Sequence, residues 1–118
     1  MMRMETISQT IQWQDFEKVE LRVGTIIEAV EFEKAKKPAY QIIADFGPFG
    51  IKKSSAQITV NYTAVELTGK QIIGVINFEP KQIANFISEF LVTGFEDSEG
   101  NIVLAQPQST VPNGAKLI

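Results

Sequence analysis

The chain has 118 residues, 44% of them apolar and 21% charged, which is the size and composition of a single globular domain with its own core. It contains neither cysteine nor histidine, so disulfides and thiolate metal sites are excluded and the commonest general base is missing. The net charge of −3 at pH 7 argues against a protein that coats DNA.

The first predicted element is a long strand that begins near Val19 and changes face along its length. Apolar and polar residues alternate at its start, and the alternation has the opposite phase at Val30 and Phe32. Such a change of phase requires a β-bulge or a sharp bend, which we place near Gly24 or at Ile26-Ile27. A long, bent first strand is what a small closed barrel needs.

Two further strands and a short helix are predicted next. The strands cover residues 39–46 and 51–60, and the tight connection between them contains glycine and proline. The helix is predicted to start at Thr63, because Thr63 and Glu66 form a capping box, and to stop at Gly69.

The C-terminal third contains one segment of ambiguous type. Residues 71–78 are almost wholly apolar, as in a strand that is buried on both faces. Behind Pro80, four apolar residues follow the spacing of a helix: Ile83, Phe86, Ile87 and Phe90. Residues 91–95 and 102–105 then read as a hairpin, and a tail with two prolines ends the chain.

This order of elements predicts an all-β domain, a five-stranded OB-fold barrel with one short helix. An SH3-like barrel or a small sandwich is the alternative. We expect residues 1–12 to form an N-terminal arm and residues 13–118 to form the barrel domain with its C-terminal arm, both arms serving dimerisation.

Positive charge is concentrated in the middle of the chain. Residues 34–81 carry seven basic and three acidic side chains, whereas residues 1–33 carry three basic and seven acidic ones. Such a segment attracts phosphate groups locally, because charges act over a Debye length of about 8 Å. The simpler interpretation is that these lysines only solubilise exposed loops.

No sequence motif indicates catalysis. The sequence lacks G-x-S-x-G, P-loop, G-x-G-x-x-G and S-x-x-K patterns. We therefore expect a binding protein without enzyme activity, cofactor or metal. Because no apolar run is as long as a membrane span or typical of a secretory signal, we also expect a cytoplasmic protein without membrane insertion.

The sequence closely resembles CsaA-type proteins in six blocks that follow one another in the expected order. These blocks are DFEKVELRVGTI (residues 15–26), KKPAY (36–40), GIKKSSAQIT (50–59), VINFEPKQI (75–83), SEFLV (88–92) and VPNGAKL (111–117). The resemblance implies an OB-fold of the tRNA-binding-domain superfamily and a homodimeric, export-related chaperone of the bacterial cytoplasm. Unfolded or export-bound polypeptides would be its partners, and tRNA a possible one. DNA would not be a partner.

One departure from the tRNA-binding relatives concerns the third and fourth residues of a four-residue motif. Those relatives typically carry Ser-Glu-Gly-Met where this chain has Ser88-Glu89-Phe90-Leu91. We expect the ring of Phe90 to crowd an RNA backbone and to add apolar surface for peptides. A dedicated tRNA-binding protein remains the alternative function, and a carboxylate-based hydrolase is a remote third.

Three sets of candidate site residues follow from the pattern and the resemblance. The RNA-binding set is Arg22, Lys36, Lys37, Lys52, Lys53, Ser54 and Ser88. The peptide-binding set, predicted to line one recess open to solvent, is Tyr40, Phe78, Phe86 and Phe90. The dimer-interface set is Ile7, Ile11, Trp13, Val111, Pro112 and Leu117.

Each set also has an ordinary structural interpretation. Arg22 could pair with a glutamate, the aromatic residues could be core, and the N-terminal arm could be a loosely docked terminus. Ser54, Ser55 and Gln57 are short hydrogen-bonding residues where β-branched ones are expected, which favours either a polar groove floor or an exposed strand face.

Overall fold

The computed structural model describes residues 5–118, and its helices and strands lie in this range. The α-helices are α1 (Trp13–Glu17) and α2 (Ala64–Leu67), and one turn of 3-10 helix covers Gly47–Phe49. The strands are β1 (Leu21–Glu31), β2 (Tyr40–Asp45), β3 (Ile51–Ala56), β4 (Gln71–Val75), β5 (Lys81–Ile83), β6 (Phe86–Ser88), β7 (Leu91–Val92), β8 (Gly94–Glu96) and β9 (Ile102–Leu104). No helix in this part of the chain is long and apolar enough to cross a bilayer.

Five of the strands form one antiparallel sheet in the order β3-β2-β1-β4-β7. The first half of β1 pairs with β4 and its second half pairs with β2, and a bulge lies between Ile26 and Glu28. The bulge confirms the predicted bend at Ile26-Ile27. Because β1 pairs with β4 and with β2 along its length, the sheet curls into a nearly closed barrel. The predicted OB-fold is confirmed.

The barrel core is built around two aromatic rings that meet edge to face. The Phe46 and Phe90 ring centroids lie 4.9 Å apart at an interplanar angle of 75°. Gly24 and Gly74 leave space for these rings, since a Cβ atom on Gly74 would lie 2.9 Å from Cδ2 of Phe90. Phe90 is therefore a core residue, and its position depends on the absence of a side chain at residue 74.

Helix α2 begins and ends where the sequence predicts. The Thr63 hydroxyl accepts a hydrogen bond from the Glu66 N–H, and the Glu66 carboxylate accepts one from the Thr63 N–H at 2.7 Å. Gly69 follows with φ of +94°, a conformation in which glycine is unstrained. Helix α1 was not predicted.

The helical interpretation of the apolar residues behind Pro80 is wrong. Strands β5 and β6 form a hairpin whose ladder includes Ile83 opposite Phe86. Ala84 turns the chain with φ of +53°. The two-residue turn places both apolar residues of the pair on one face of the hairpin, where they pack with Phe32 and Ala39 in a second small core.

Three predicted strand boundaries also need correction. Strand β3 ends at Ala56 and β4 at Val75, both earlier than predicted. Leu91–Val92 pairs with β4 instead of with β9, so that only Gly94–Glu96 forms the predicted hairpin with β9.

The C-terminal tail is part of the domain. Its main chain pairs with β1: the Gly114 N–H donates to the Val23 carbonyl at 2.7 Å, and the Val23 N–H donates to the Ala115 carbonyl at 2.9 Å. Leu117 continues this pairing with Leu21 at 2.9 Å. By contrast, residues 5–12 of the predicted N-terminal arm are exposed and lie outside the helices and strands. The first four residues of that arm lie outside the described residues.

Candidate functional site

Main-chain and side-chain groups of residues 88–90 connect β3 to the segment that leads into β7, the strand at the opposite edge of the five-stranded sheet. The Glu89 N–H donates to the Lys53 carbonyl at 2.7 Å, and the Lys53 N–H donates to Oε1 of Glu89 at 3.0 Å. The Ser54 hydroxyl donates to the Phe90 carbonyl at 2.8 Å. We name these contacts between residues 53–55 and 88–90 the clasp.

A groove of about 840 Å³ opens beside the clasp. Residues 55–60 form one wall and residues 91–94 form the other. The rim is completed by Lys37, Pro38 and Ile83 and by residues of the β8–β9 hairpin. We name this space the seam groove because it lies where the two edge strands of the sheet, β3 and β7, approach each other.

A smaller pocket of about 550 Å³ is continuous with the seam groove. The two spaces share Ser55, Ile83 and Leu91 as lining residues. Phe78 stands at the smaller pocket with 59% of its surface exposed, and Leu91 is 50% exposed. These two side chains offer apolar contact area to a ligand.

The seam groove has little charge. Its charged lining residues are Lys37, beside Pro38, and Glu96 on the β8–β9 hairpin. The smaller pocket adds Glu79, Lys81 and Glu89. Within the described residues no group of three or more carboxylates could hold a metal ion. The lining of the seam groove therefore favours a ligand segment with little charge.

The structure divides the predicted RNA-binding lysines among several positions. Lys36 and Lys37 are exposed on the loop between β1 and β2, whereas Lys52 and Lys53 are half-buried on β3. Successive residues of a strand point to opposite faces, so Lys52 and Lys53 cannot present one continuous surface. The ammonium group of Lys53 lies 5.1 Å from the centroid of the Phe86 ring.

Two members of the RNA-binding set do not fit that role. Arg22 forms a 2.7 Å salt bridge with Glu20, donates to the Gly114 carbonyl at 3.1 Å and lies 4.5 Å from the Phe49 ring. Its guanidinium group therefore holds the C-terminal tail against β1. Ser54 is only 1% exposed and its hydroxyl belongs to the clasp.

Ser88 is likewise a member of the clasp. Its hydroxyl accepts a hydrogen bond from the Ser55 N–H at 3.3 Å and lies at the same distance from the Ser54 hydroxyl. The residue is half-buried and also lines the smaller pocket, so it remains accessible to a ligand there.

The structure does not bring the four aromatic residues of the predicted recess to one open surface, and their role in peptide binding stays a prediction. Tyr40 donates its hydroxyl to the Tyr62 carbonyl at 2.8 Å and is buried. Phe86 is buried with its ring centroid 5.4 Å from that of Phe32. Phe90 is buried against Phe46 and is also one of the residues that line the smaller pocket. Phe78 alone of the four is exposed.

Sequence reasoning missed several groove residues and anticipated two others. Ser55 and Gln57 lie in one wall of the seam groove, where they supply polar lining. Leu91 and Val92 line its opposite wall, and the signal that could have revealed Leu91 is an apolar residue next to the clasp motif.

The predicted interface residues differ in how firmly they are held. Ile7, Ile11 and Trp13 are 85%, 70% and 62% exposed. Both main-chain groups of Val111 are bound by the side chain of Gln71. Pro112 is exposed and Leu117 is 42% exposed. Their role in a dimer stays a prediction.

Two carboxylates are electrostatically stabilised outside the groove. The hydrogen bond from Arg22 is the main reason that the pKa of Glu20 lies below its ordinary value, and Lys116 contributes. Hydrogen bonds from the Asn101 N–H, the Asn61 amide and the Glu99 N–H lower the pKa of Asp97. Asp97 thereby orders the turn between β8 and β9 at one end of the groove.

Comparison with known proteins places this geometry among binding domains. The family described as "Putative tRNA binding domain" matches residues 21–116. The structure of the chaperone CsaA from Bacillus anthracis has a TM-score of 0.87 and 44% identity, covering 93% of this chain and 100% of that one. The structure of the CsaA chaperone protein from Picrophilus torridus has a TM-score of 0.86 and 48% identity, covering 92% and 100%. The methionine–tRNA ligase of Parabacteroides distasonis is 29% identical over 98% of this chain, but the chain spans only 17% of that ligase.

Proposed function

Since the chain belongs to the tRNA-binding domain family and is a CsaA-type protein, we propose that it is a chaperone that holds unfolded or export-bound polypeptides. The observation that carries the proposal is the nearly uncharged seam groove, which adjoins the exposed Phe78 and Leu91. Unfolded polypeptides expose both main-chain groups and apolar side chains, and the groove offers surface to both. The matched family is a tRNA-binding domain and not a catalytic one, and we propose that the protein has no enzyme activity.

Binding of tRNA is the second candidate function, and the exposed lysines beside the groove favour it. Lys36 and Lys37 are exposed on one loop, and Lys81 is exposed at the smaller pocket. Lys36 lies outside the lining of both spaces, Lys37 lies on the rim of the seam groove, and all three lysines can neutralise phosphates. The lysines lie on the loop and the rim, and the apolar side chains lie on the walls, so that substitutions in the two sets distinguish the two ligands.

We also propose that the protein acts as a cytoplasmic homodimer. The support is the exposed apolar series Ile7, Ile11 and Trp13, which precedes the barrel and leaves most of its apolar surface open to a partner. A two-fold interface would bury the same residues on both copies.

The proposed function is tested by titrating a fluorescent unfolded polypeptide onto the protein. Leu91→Glu places a charge in the groove and should weaken polypeptide binding on the order of tenfold or more. Val65→Glu is the matched control, because Val65 is 88% exposed on α2 and does not line the groove. Equal affinity of both variants and the parent would exclude the groove as the binding site.

Binding of tRNA is tested separately by its salt dependence. Lys36→Ala combined with Lys37→Ala should flatten the log–log salt slope by about 1.4, from roughly 0.7 per single-strand phosphate contact. Lys18→Ala, an exposed lysine at the end of α1, serves as the control. An unchanged slope in the double variant would remove this loop from the RNA surface. Polypeptide binding should persist or strengthen as salt increases.

A further inference from the structure

One wall of the seam groove carries main-chain groups that have no partner strand. Strand β7 pairs with β4 through Leu91 opposite Val75 and Val92 opposite Gly74, and the Thr93 N–H donates to the Ile73 carbonyl at 3.1 Å. Hydrogen-bonding groups of successive residues point to opposite sides of a strand. Because residues 91 and 93 bond to β4, the N–H and C=O of Val92 point away from β4, and neither has a main-chain partner among residues 5–118.

The other wall has the same property. On β3 the main-chain groups of Lys53 and Ser55 point away from β2, where they meet the clasp. Gln57 is the next residue in this alternation, and it lies beyond Ala56, the last residue that pairs with β2. In the described part of the chain neither its N–H nor its C=O has a hydrogen-bond partner. One wall is thus the free edge of β7, and the other continues from the end of β3 with Gln57, whose main-chain groups are unpaired.

Free strand edges are templates for another strand. An extended chain placed between them satisfies main-chain donors and acceptors that otherwise face water. Apolar and small side chains on both walls, among them Ile58, Val60 and Leu91, allow such a chain to lie close to the barrel.

The charges of the groove favour polypeptide over RNA as the occupant. Nucleic-acid binding requires cations along the phosphate path, and both walls, residues 55–60 and 91–94, contain no charged side chain. The two rim charges have opposite sign, Lys37 beside Pro38 and Glu96 on the β8–β9 hairpin. These two rim charges are complementary to a polypeptide segment that carries one acidic and one basic side chain.

We propose that the seam groove binds an extended polypeptide by strand addition, with main-chain hydrogen bonds to Gln57 and Val92. This inference rests on the proposed chaperone function and specifies its mode of recognition. Main-chain recognition is independent of side-chain identity, so the groove accepts many sequences that share only an extended, largely uncharged segment.

The test compares three versions of one short peptide of alternating threonine and valine with a glutamate at one end and a lysine at the other. The second and third versions carry N-methyl groups on alternate residues. The second is methylated along one edge of the extended peptide, and the third along the other edge. Strand addition predicts that at least one methylated version binds on the order of tenfold more weakly than the unmodified peptide, because its donors are removed while its side chains are retained. Recognition by side chains alone predicts equal binding of all three.

A measurement on the protein locates the same hydrogen bonds. Amide hydrogen exchange at Gln57 and Val92 should slow on addition of the unmodified peptide, whereas exchange at Val65 should not change. Val92→Pro removes the N–H that faces the groove and should weaken binding, and Val92→Thr retains that N–H and should not. If Val92→Pro does not fold, as judged by its thermal transition, the methylated peptides and the exchange rates still test whether the polypeptide binds by strand addition.

The outcomes separate the inference from the function on which it rests. Equal binding of the unmodified peptide and both methylated versions overturns strand addition alone. Failure of every polypeptide probe to bind overturns the proposed function and the inference together. Loss of binding on methylation, with slower exchange at the two groove amides, supports the inference.

Discussion

The packing of Phe90 against Gly74 gives a quantitative prediction about the core. Truncation by Phe90→Ala removes a buried ring that meets Phe46 edge to face, and such truncations cost about 3–5 kcal/mol. Gly74→Ala adds a Cβ atom 2.9 Å from Phe90 and 3.0 Å from Phe46, and overpacking of this kind costs about 1–3 kcal/mol. If both rings share the clash, removing one of them should relieve part of it.

The double variant should therefore be more stable than the sum of the single variants predicts. We expect a favourable coupling of about 1 kcal/mol or more between the two sites, in the range observed for residues in direct contact. The remaining contact with Phe46 prevents complete relief. Phe95→Ala is the control, because Phe95 is 67% exposed and its loss should change stability by no more than about 0.5 kcal/mol.

The assay is equilibrium unfolding in urea of the parent, both single variants, the double variant and the control. Strict additivity of the two substitutions would refute the proposed contact between residue 74 and the Phe90 ring. A cost below about 1 kcal/mol for Phe90→Ala would show that this ring is not part of the core, and would restore the hypothesis that it serves as a peptide anchor.

Three further predictions concern the clasp, acid stability and assembly. Glu89→Ala should lower the free energy of unfolding in urea by about 1–3 kcal/mol, because the Lys53 N–H loses its acceptor. Glu89→Gln retains an acceptor and should lower it by less. Equal losses in the two variants would contradict the clasp. The hydrogen bond from Arg22 lowers the pKa of Glu20 in the folded protein. The Glu20 carboxylate therefore stabilises the fold at pH values above its unfolded-state pKa of about 4.3. This contribution is lost as the pH falls through the lower folded-state pKa. Glu20→Gln should flatten the pH dependence of stability below about pH 5, and an unchanged acid limb would count against the ion pair. Removal of residues 1–12 should convert the sedimenting species from dimer to monomer, and a truncated protein that stays dimeric would exclude the arm from the interface.

The parts of the fold that could be predicted from the sequence depend on local signals. The bulge at Ile26-Ile27 is visible as a change of phase within one strand, and the start of α2 is visible because Thr63 and Glu66 satisfy each other's main-chain groups. The hairpin at residues 81–88 was not predictable in this way. A two-residue turn places Ile83 opposite Phe86, and this produces the same three-residue spacing of apolar side chains as one turn of helix.

The candidate site could be predicted only in part, because exposure depends on tertiary packing. Phe78 and Phe90 are both aromatic residues near the ends of apolar segments, yet one is exposed and the other fills the space above Gly74. The lysines were identifiable by their charge. Whether the N–H and C=O groups of Gln57 and Val92 are free depends on which neighbouring residues pair with another strand, and the sequence does not reveal this pairing.

The clasp explains why a barrel of this type keeps an open groove. A continuous ladder between β3 and β7 would satisfy the edges of both strands and close the barrel completely. In residues 5–118 a single main-chain hydrogen bond, from the Glu89 N–H to the Lys53 carbonyl, joins β3 to the residues just before β7. The other hydrogen bonds of the clasp involve the carboxylate of Glu89 and the hydroxyls of Ser54 and Ser88. Side-chain links fix the strands at one point without propagating a ladder. The barrel is thereby held together while the edges beyond the clasp stay available for a ligand.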